Sequence, residues 1–171
     1  MSVTGRVGPL HLDESRRADI VAHAGRPDVE IKGRGDNGVR YDALGYECTS
    51  KASRTGLPLR GDSRAHGAYC RTAFYVDSRT GRLETFFTTA SSYSESHGVR
   101  VGMPTATAER LLRKPRKVGC ESDIYLYGSR ATLTVAFVGG KAQENLRVLG
   151  GHVFGFVLHS KRWDAALFDC L

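Results

Sequence analysis

Residues 69–89 constrain the fold most, because they can form little other than an antiparallel hairpin. Residues 69–76 alternate in character, Asp77-Ser-Arg-Thr-Gly81 is a cluster of turn formers, and residues 83–89 alternate again. A period of two sends successive side chains to opposite faces of a sheet, which makes Phe74, Val76 and Phe86 candidate core residues. Composition agrees with a packed domain: of 171 residues, 40% are hydrophobic and 25% charged. A disordered or fibrous chain is excluded, and the length suits one ordinary domain or two small ones.

The second half carries four more strand signals, over 124–127, 131–138, 152–159 and 165–170, for which a meander is the simplest topology. Two short helices are predicted. The first lies within residues 12–27, with cap candidates Asp13 and Ser15, an apolar side of Ala18, Val21 and Ala22, and a stop at Gly25 and Pro27. The second follows Pro104, ends before Pro115 and would bury Ala108, Leu111 and Leu112. Between the halves, Ser91-Ser-Tyr-Ser-Glu-Ser96 is a short linker or a covered loop, and residues 49–66 form a long exposed loop. The expected class is therefore α+β: two tandem units, residues 1–96 and 97–171, each a short helical segment packed on an antiparallel sheet.

No apolar stretch approaches the roughly 18 to 20 residues of a membrane-spanning helix, and residues 1–6 lack the apolar region of a signal peptide. The net charge of +7 favours acidic partners, yet no basic tail stands out, so nucleic acid is a disfavoured partner. The four cysteines, Cys48, Cys70, Cys120 and Cys170, have neither C-x-x-C nor zinc-site spacing. Three pairings are open to them. Their placement, two in each half, favours Cys48 with Cys70 and Cys120 with Cys170, contributing about 3 and 4 kcal/mol in the chain-entropy model. Such bridges place the protein outside the cytosol, secreted or in the cell envelope, with a signal peptide replaced by a starting Met1.

The phrases Val99-Arg-Val-Gly-Met-Pro-Thr-Ala-Thr-Ala-Glu-Arg-Leu-Leu112 and Ala18-Asp-Ile-Val-Ala-His-Ala-Gly-Arg-Pro27 resemble a signature of small bacterial envelope proteins. In that signature a Gly-Met-Ser/Thr start leads into a helix, a Gly-x-Pro stop and then strands. The resemblance is to the beta-lactamase-inhibitor-protein-like and BamE-like (SmpA/OmlA) folds, and to secreted actinobacterial proteins. It implies two tandem helix-plus-sheet units, a bridge possible in each, and a secreted or periplasmic protein that binds other proteins.

No catalytic block survives inspection. Gly61-Asp62-Ser63 lacks the downstream Asp-x-x-His of a GDSL-type hydrolase, and no nucleophile elbow, zinc-protease motif, Walker loop or dinucleotide fingerprint occurs. No metal or cofactor is implied. The alternative enzyme reading is a hydrolase with a Cys or Ser nucleophile and a His base, for which His159, Asp169 and a free Cys170 are the candidates. A third reading is a basic nucleic-acid binder. Arg110, Arg113, Lys114, Arg116 and Lys117 form the one dense basic cluster, expected at the end of the second helix, where the macrodipole alone accounts for cations. Arg-Gly-Asp occurs twice, at Arg34 and at Arg60 to Asp62. The expected function is non-enzymatic recognition of another protein, with Tyr41, Tyr46, Tyr69, Tyr75 and Trp163 as aromatic anchors beside Arg60 and Asp62.

Overall fold

The computed structural model describes residues 5–34, 38–50, 57–59, 68–112, 116–119, 123–128, 132–138 and 151–160. In chain order they form β1 (Arg6–Val7), β2 (Leu10–His11), α1 (Arg17–Ala24), β3 (Val29–Arg34), β4 (Arg40–Thr49), β5 (Leu57–Pro58), β6 (Tyr69–Asp77), β7 (Leu83–Thr88), α2 (Thr105–Leu111), β8 (Arg116–Gly119), β9 (Asp123–Gly128), β10 (Thr132–Val138) and β11 (Val153–Ser160). The expected hairpin is β6–β7, with Phe74 opposite Phe86 and a register shift after Tyr75. The turn closes where Asp77 Oδ1 accepts the Arg79 amide at 2.7 Å.

Among the described residues the strands join a two-stranded sheet, β1–β2, and one nine-stranded sheet of order β3-β4-β6-β7-β11-β10-β9-β8, with β5 also paired to β6. Each half contributes a run of sequential antiparallel neighbours, and the runs meet at β7 and β11, where Phe87 faces Val157 and Phe86 faces Leu158. Burial explains this junction. Every residue of β7 and of β11 is buried, so both strands need cover on two faces and partners on two edges, which only the middle of a sheet supplies. Gly155 permits the approach, since a Cβ there would stand 2.7 Å from the Thr88 carbonyl oxygen. By contrast β3, at one end of the order, keeps exposed residues, as an edge strand does.

This corrects the expected class. The chain is mostly strand with two short helices among the described residues, and strands from both halves build one continuous sheet rather than two separate helix-on-sheet units. The helices lie on one face of it. Ile20 of α1 packs in a cluster with Leu44, Phe74, Phe86 and Leu158, while Ala108 and Leu112 pack with Val153 and Phe156. Phe156 and Leu158 are two residues apart on β11 and so share a face. The opposite face carries Tyr41, Ala43, Tyr75, Phe87 and Val157, with Leu59 packed against them.

Local signals were only partly read. Ser15 does not cap α1; its hydroxyl accepts the His11 amide at 2.9 Å, and Asp19 Oδ2 accepts the Arg16 amide at 2.7 Å. Nor do Ala18 and Ala22 form the buried side, since Ile20 is the buried residue of α1. Around α2 the expectation holds for Ala108 and Leu112, and Leu111 is half-buried.

Candidate functional site

On the helix-bearing side of the sheet a cleft of about 560 Å³ opens between the C-terminal end of α1 and the turn that follows β7. His23, Ala24, Arg26 and Asp28 form one wall, Ser92 and Tyr93 the other, and Tyr46, Glu47, Thr72 and Phe74 supply the floor and its end. Gly25 puts the wall in place. Its φ of 83 is open to glycine, its amide donates to the Val21 carbonyl at 2.9 Å, and the helix stops there. The Tyr46 hydroxyl then donates to the Gly25 carbonyl at 3.1 Å, tying β4 to the end of α1.

Four rings run in sequence beneath the cleft. Tyr46 meets Phe74 edge-on, with centroids 5.7 Å apart, Phe74 and Phe86 lie 4.9 Å apart, and Phe86 and Tyr93 lie 5.2 Å apart. The two phenylalanines are fully buried and anchor the row, while the two tyrosines are half-buried and line the cleft. Burial pushes the Tyr93 phenol above its ordinary pKa, and the Glu47 carboxylate adds to the push. Burial also raises Tyr46; Glu30 and Asp28 act in the same direction, and Arg17 opposes them.

Next to Glu47 in the chain, the disulfide Cys48–Cys70 joins residues in direct register on β4 and β6. Glu47, with φ 52, interrupts the alternation of β4, so Cys48 packs with Cys70 on the opposite face, above Gly45. Asp28 Oδ2 accepts the Cys48 amide at 3.1 Å, and Glu47 pairs with Arg71 at 3.1 Å. The bridge therefore fixes the two strands that carry Tyr46, Glu47 and Thr72.

Of the expected anchors among the described residues, Tyr46 alone lines the cleft. Tyr41 and Tyr75 are 2% and 3% exposed and pack on each other at 5.3 Å within the core of the other face, so they offer no surface. Tyr69 is half-buried at the start of β6, opposite Thr49 and Pro58. Arg60, Asp62, Trp163, Arg113, Lys114, Cys120, Asp169 and Cys170 lie outside the described residues, as does the strand expected over 165–170. Of the basic cluster, Arg110 stands in the last turn of α2 and donates to Thr107 Oγ1 at 3.3 Å, while Arg116 and Lys117 stand on β8. His159 is 4% exposed, and its Nδ1 lies 3.0 Å from the Ser160 carbonyl oxygen.

Ser96, His97 and Glu95 are grouped, but not as a catalytic relay. Glu95 Oε1 contacts the Ser96 hydroxyl at 2.6 Å and His97 Nδ1 at 2.9 Å, and the Ser96 hydroxyl also faces Nδ1, at 3.4 Å. A relay needs hydroxyl and carboxylate on opposite ring nitrogens. Here the buried carboxylate closes a turn, also accepting the His97 amide at 2.6 Å.

Sequence reading missed Tyr93, Asp28, Glu47 and Arg26 as site residues. The signal for Tyr93 was present: one aromatic ring inside the polar run 91–96.

Among the described residues no helix is long and apolar enough to cross a membrane, and a disulfide is compatible with an extracytoplasmic location. The chain is similar in fold to a DUF4309 family protein, YjgB, from Bacillus subtilis, with a TM-score of 0.53, 15% identity, and coverage of 93% of this chain and 90% of that one. It is also similar to the uncharacterized protein yfeY from Escherichia coli, with a TM-score of 0.48, 14% identity, and coverage of 94% and 99%. No family model and no curated protein matches the sequence. The likeness to YjgB is one of fold.

Proposed function

We propose that the protein is exported and acts, without chemistry of its own, by binding another protein through the cleft between α1 and the turn at Tyr93. The observation that carries this reading is the row Tyr46–Phe74–Phe86–Tyr93, which sets two half-buried tyrosine rings in the cleft on two buried phenylalanines. Pre-ordered aromatic anchors with a polar rim are what protein contact sites are built around. The Cys48–Cys70 bridge supports export, because such bonds persist in oxidising compartments. The catalytic alternative has no comparable support among the described residues: His159 is buried in the sheet, and the Ser96–His97–Glu95 group has the wrong geometry.

A photo-crosslinking residue at Ser92, on the cleft wall, tests the reading. Incubated with envelope and secreted fractions of the producing cell, the expected result is a discrete protein adduct that is lost when Tyr93→Ala is added. The same crosslinker on the exposed Arg110 of α2, which does not line the cleft, gives the background. Equal adducts from both positions, or none from Ser92, would overturn the reading.

A further inference from the structure

We infer that the cleft takes a cationic side chain of the partner protein, arginine in preference to lysine, held on the Tyr46 and Tyr93 rings beside the carboxylates of Asp28 and Glu47. This rests on the cleft being the protein-binding site and specifies the chemistry of the contact.

Charge and shape both support it. Asp28 is exposed and has one oxygen engaged, by the Cys48 amide at 3.1 Å. Glu47 is exposed and holds Arg71 at 3.1 Å through one oxygen. A carboxylate has about four acceptor positions, so each retains capacity toward the cleft. Three carboxylates, Glu30, Asp28 and Glu47, push the two phenols in the same direction as burial, against the single opposing charge of Arg17. Glu30 is paired with Arg17 and Glu47 with Arg71, so Asp28 and the second oxygen of Glu47 are the acceptors the cleft offers, with Arg26 and His23 exposed on the α1 wall. That wall is itself the C-terminal end of a helix, which favours positive charge. The tyrosine faces complete the arrangement. A cation over an aromatic face gains most when partly desolvated, and a planar guanidinium can stack on a ring while bonding a carboxylate in its own plane. A neutral polar group would use the rings and forgo the charge of the carboxylates, and an anion would be repelled by them.

The test uses the whole protein and four capped tripeptides, acetyl-Gly-X-Gly-amide, with X as arginine, lysine, citrulline or glutamate. Ring signals of Tyr46 and Tyr93 are followed by NMR during titration. Saturable shifts are expected with arginine, weaker ones with lysine, and affinity lower by about tenfold or more with citrulline, which keeps the shape and loses the charge. Glu47→Gln is expected to weaken arginine several-fold while leaving citrulline unchanged. Tyr93→Phe keeps the ring and is expected to keep binding, whereas Tyr93→Ala loses it. Citrulline or glutamate binding as well as arginine, or no shift with any peptide, would overturn the inference. The crosslink from Ser92 is scored separately. A cleft that captures protein yet does not distinguish arginine from citrulline overturns this inference alone.

Discussion

Gly45 lies directly beneath the sulfur of Cys70: a Cβ on Gly45 would stand 2.6 Å from Cys70 Sγ and 2.8 Å from Cys48 Sγ. The strand reaches its bridge only because that position carries no side chain. Gly45→Ala is therefore expected to cost about 1–3 kcal/mol, as overpacking does, measured by urea denaturation. In a background of Cys48→Ala with Cys70→Ala, where both sulfurs are gone, the same substitution should cost clearly less. Equal costs in the two backgrounds would mean that the crowding comes from elsewhere.

The bridge itself closes a loop between residues 22 apart in sequence, worth about 3 kcal/mol in the chain-entropy model. For a chain of this size that corresponds to a fall in Tm of roughly 6–12 °C on removing it. Thermal melts of the oxidised protein and of the double alanine variant check the size. Alkylation of the unreduced protein followed by peptide mapping checks the pairing, and a labelled Cys48 or Cys70 would contradict it.

Tyr46 and Tyr93 both have phenols raised above 10.0 in the folded state. Between 10.0 and the raised values the folded protein holds protons that the unfolded chain has released, so stability falls as pH rises through that window. The contribution is fully present below pH 10.0 and lost above the folded pKa. Ultraviolet titration should show late ionisation at Tyr46 and Tyr93 that is lost in the Tyr46→Phe, Tyr93→Phe protein, whose stability should fall less steeply above pH 10.0.

Helix α1 has one buried residue, Ile20, at 0% exposure against Leu44 and Phe74. Ile20→Ala should cost about 2–5 kcal/mol by the cavity it leaves. Ala18→Ser, on the exposed side, should change stability by less than about 0.5 kcal/mol. Denaturant midpoints of the two variants separate the predicted side of the helix from the one the fold uses.

Strong local patterns were legible. The hairpin of β6 and β7, with Phe74, Val76 and Phe86 in its core, follows from alternation and a turn cluster, both properties of neighbouring residues. So does α2 after Pro104, with Ala108 and Leu112 inward, and so do β9, β10 and β11, close to the expected spans. Strands β3 and β4 escaped notice. Lys32, Asp42 and Glu47 interrupt them, and as strand at one end of the order β3 keeps polar residues that read as loop. Of the site, Tyr46 was named as an anchor for its residue type; Tyr41 and Tyr75 were named on the same ground and are core.

The sequence by itself determined the antiparallel hairpin, the two short helices, the cysteines placed to pair and the aromatic residues available for a surface. Tertiary structure alone decided that both halves share one sheet. That outcome depends on β7 and β11, each buried along its whole length, giving one another an edge partner at a separation of some 70 residues. It alone also decided which tyrosines face outward. A strand's period of two assigns alternate faces but not which face stays covered, and the φ of 52 at Glu47 shifts the period beside Tyr46. The cleft joins residues from α1, β4, β6 and the turn after β7, and only the packed sheet brings those together.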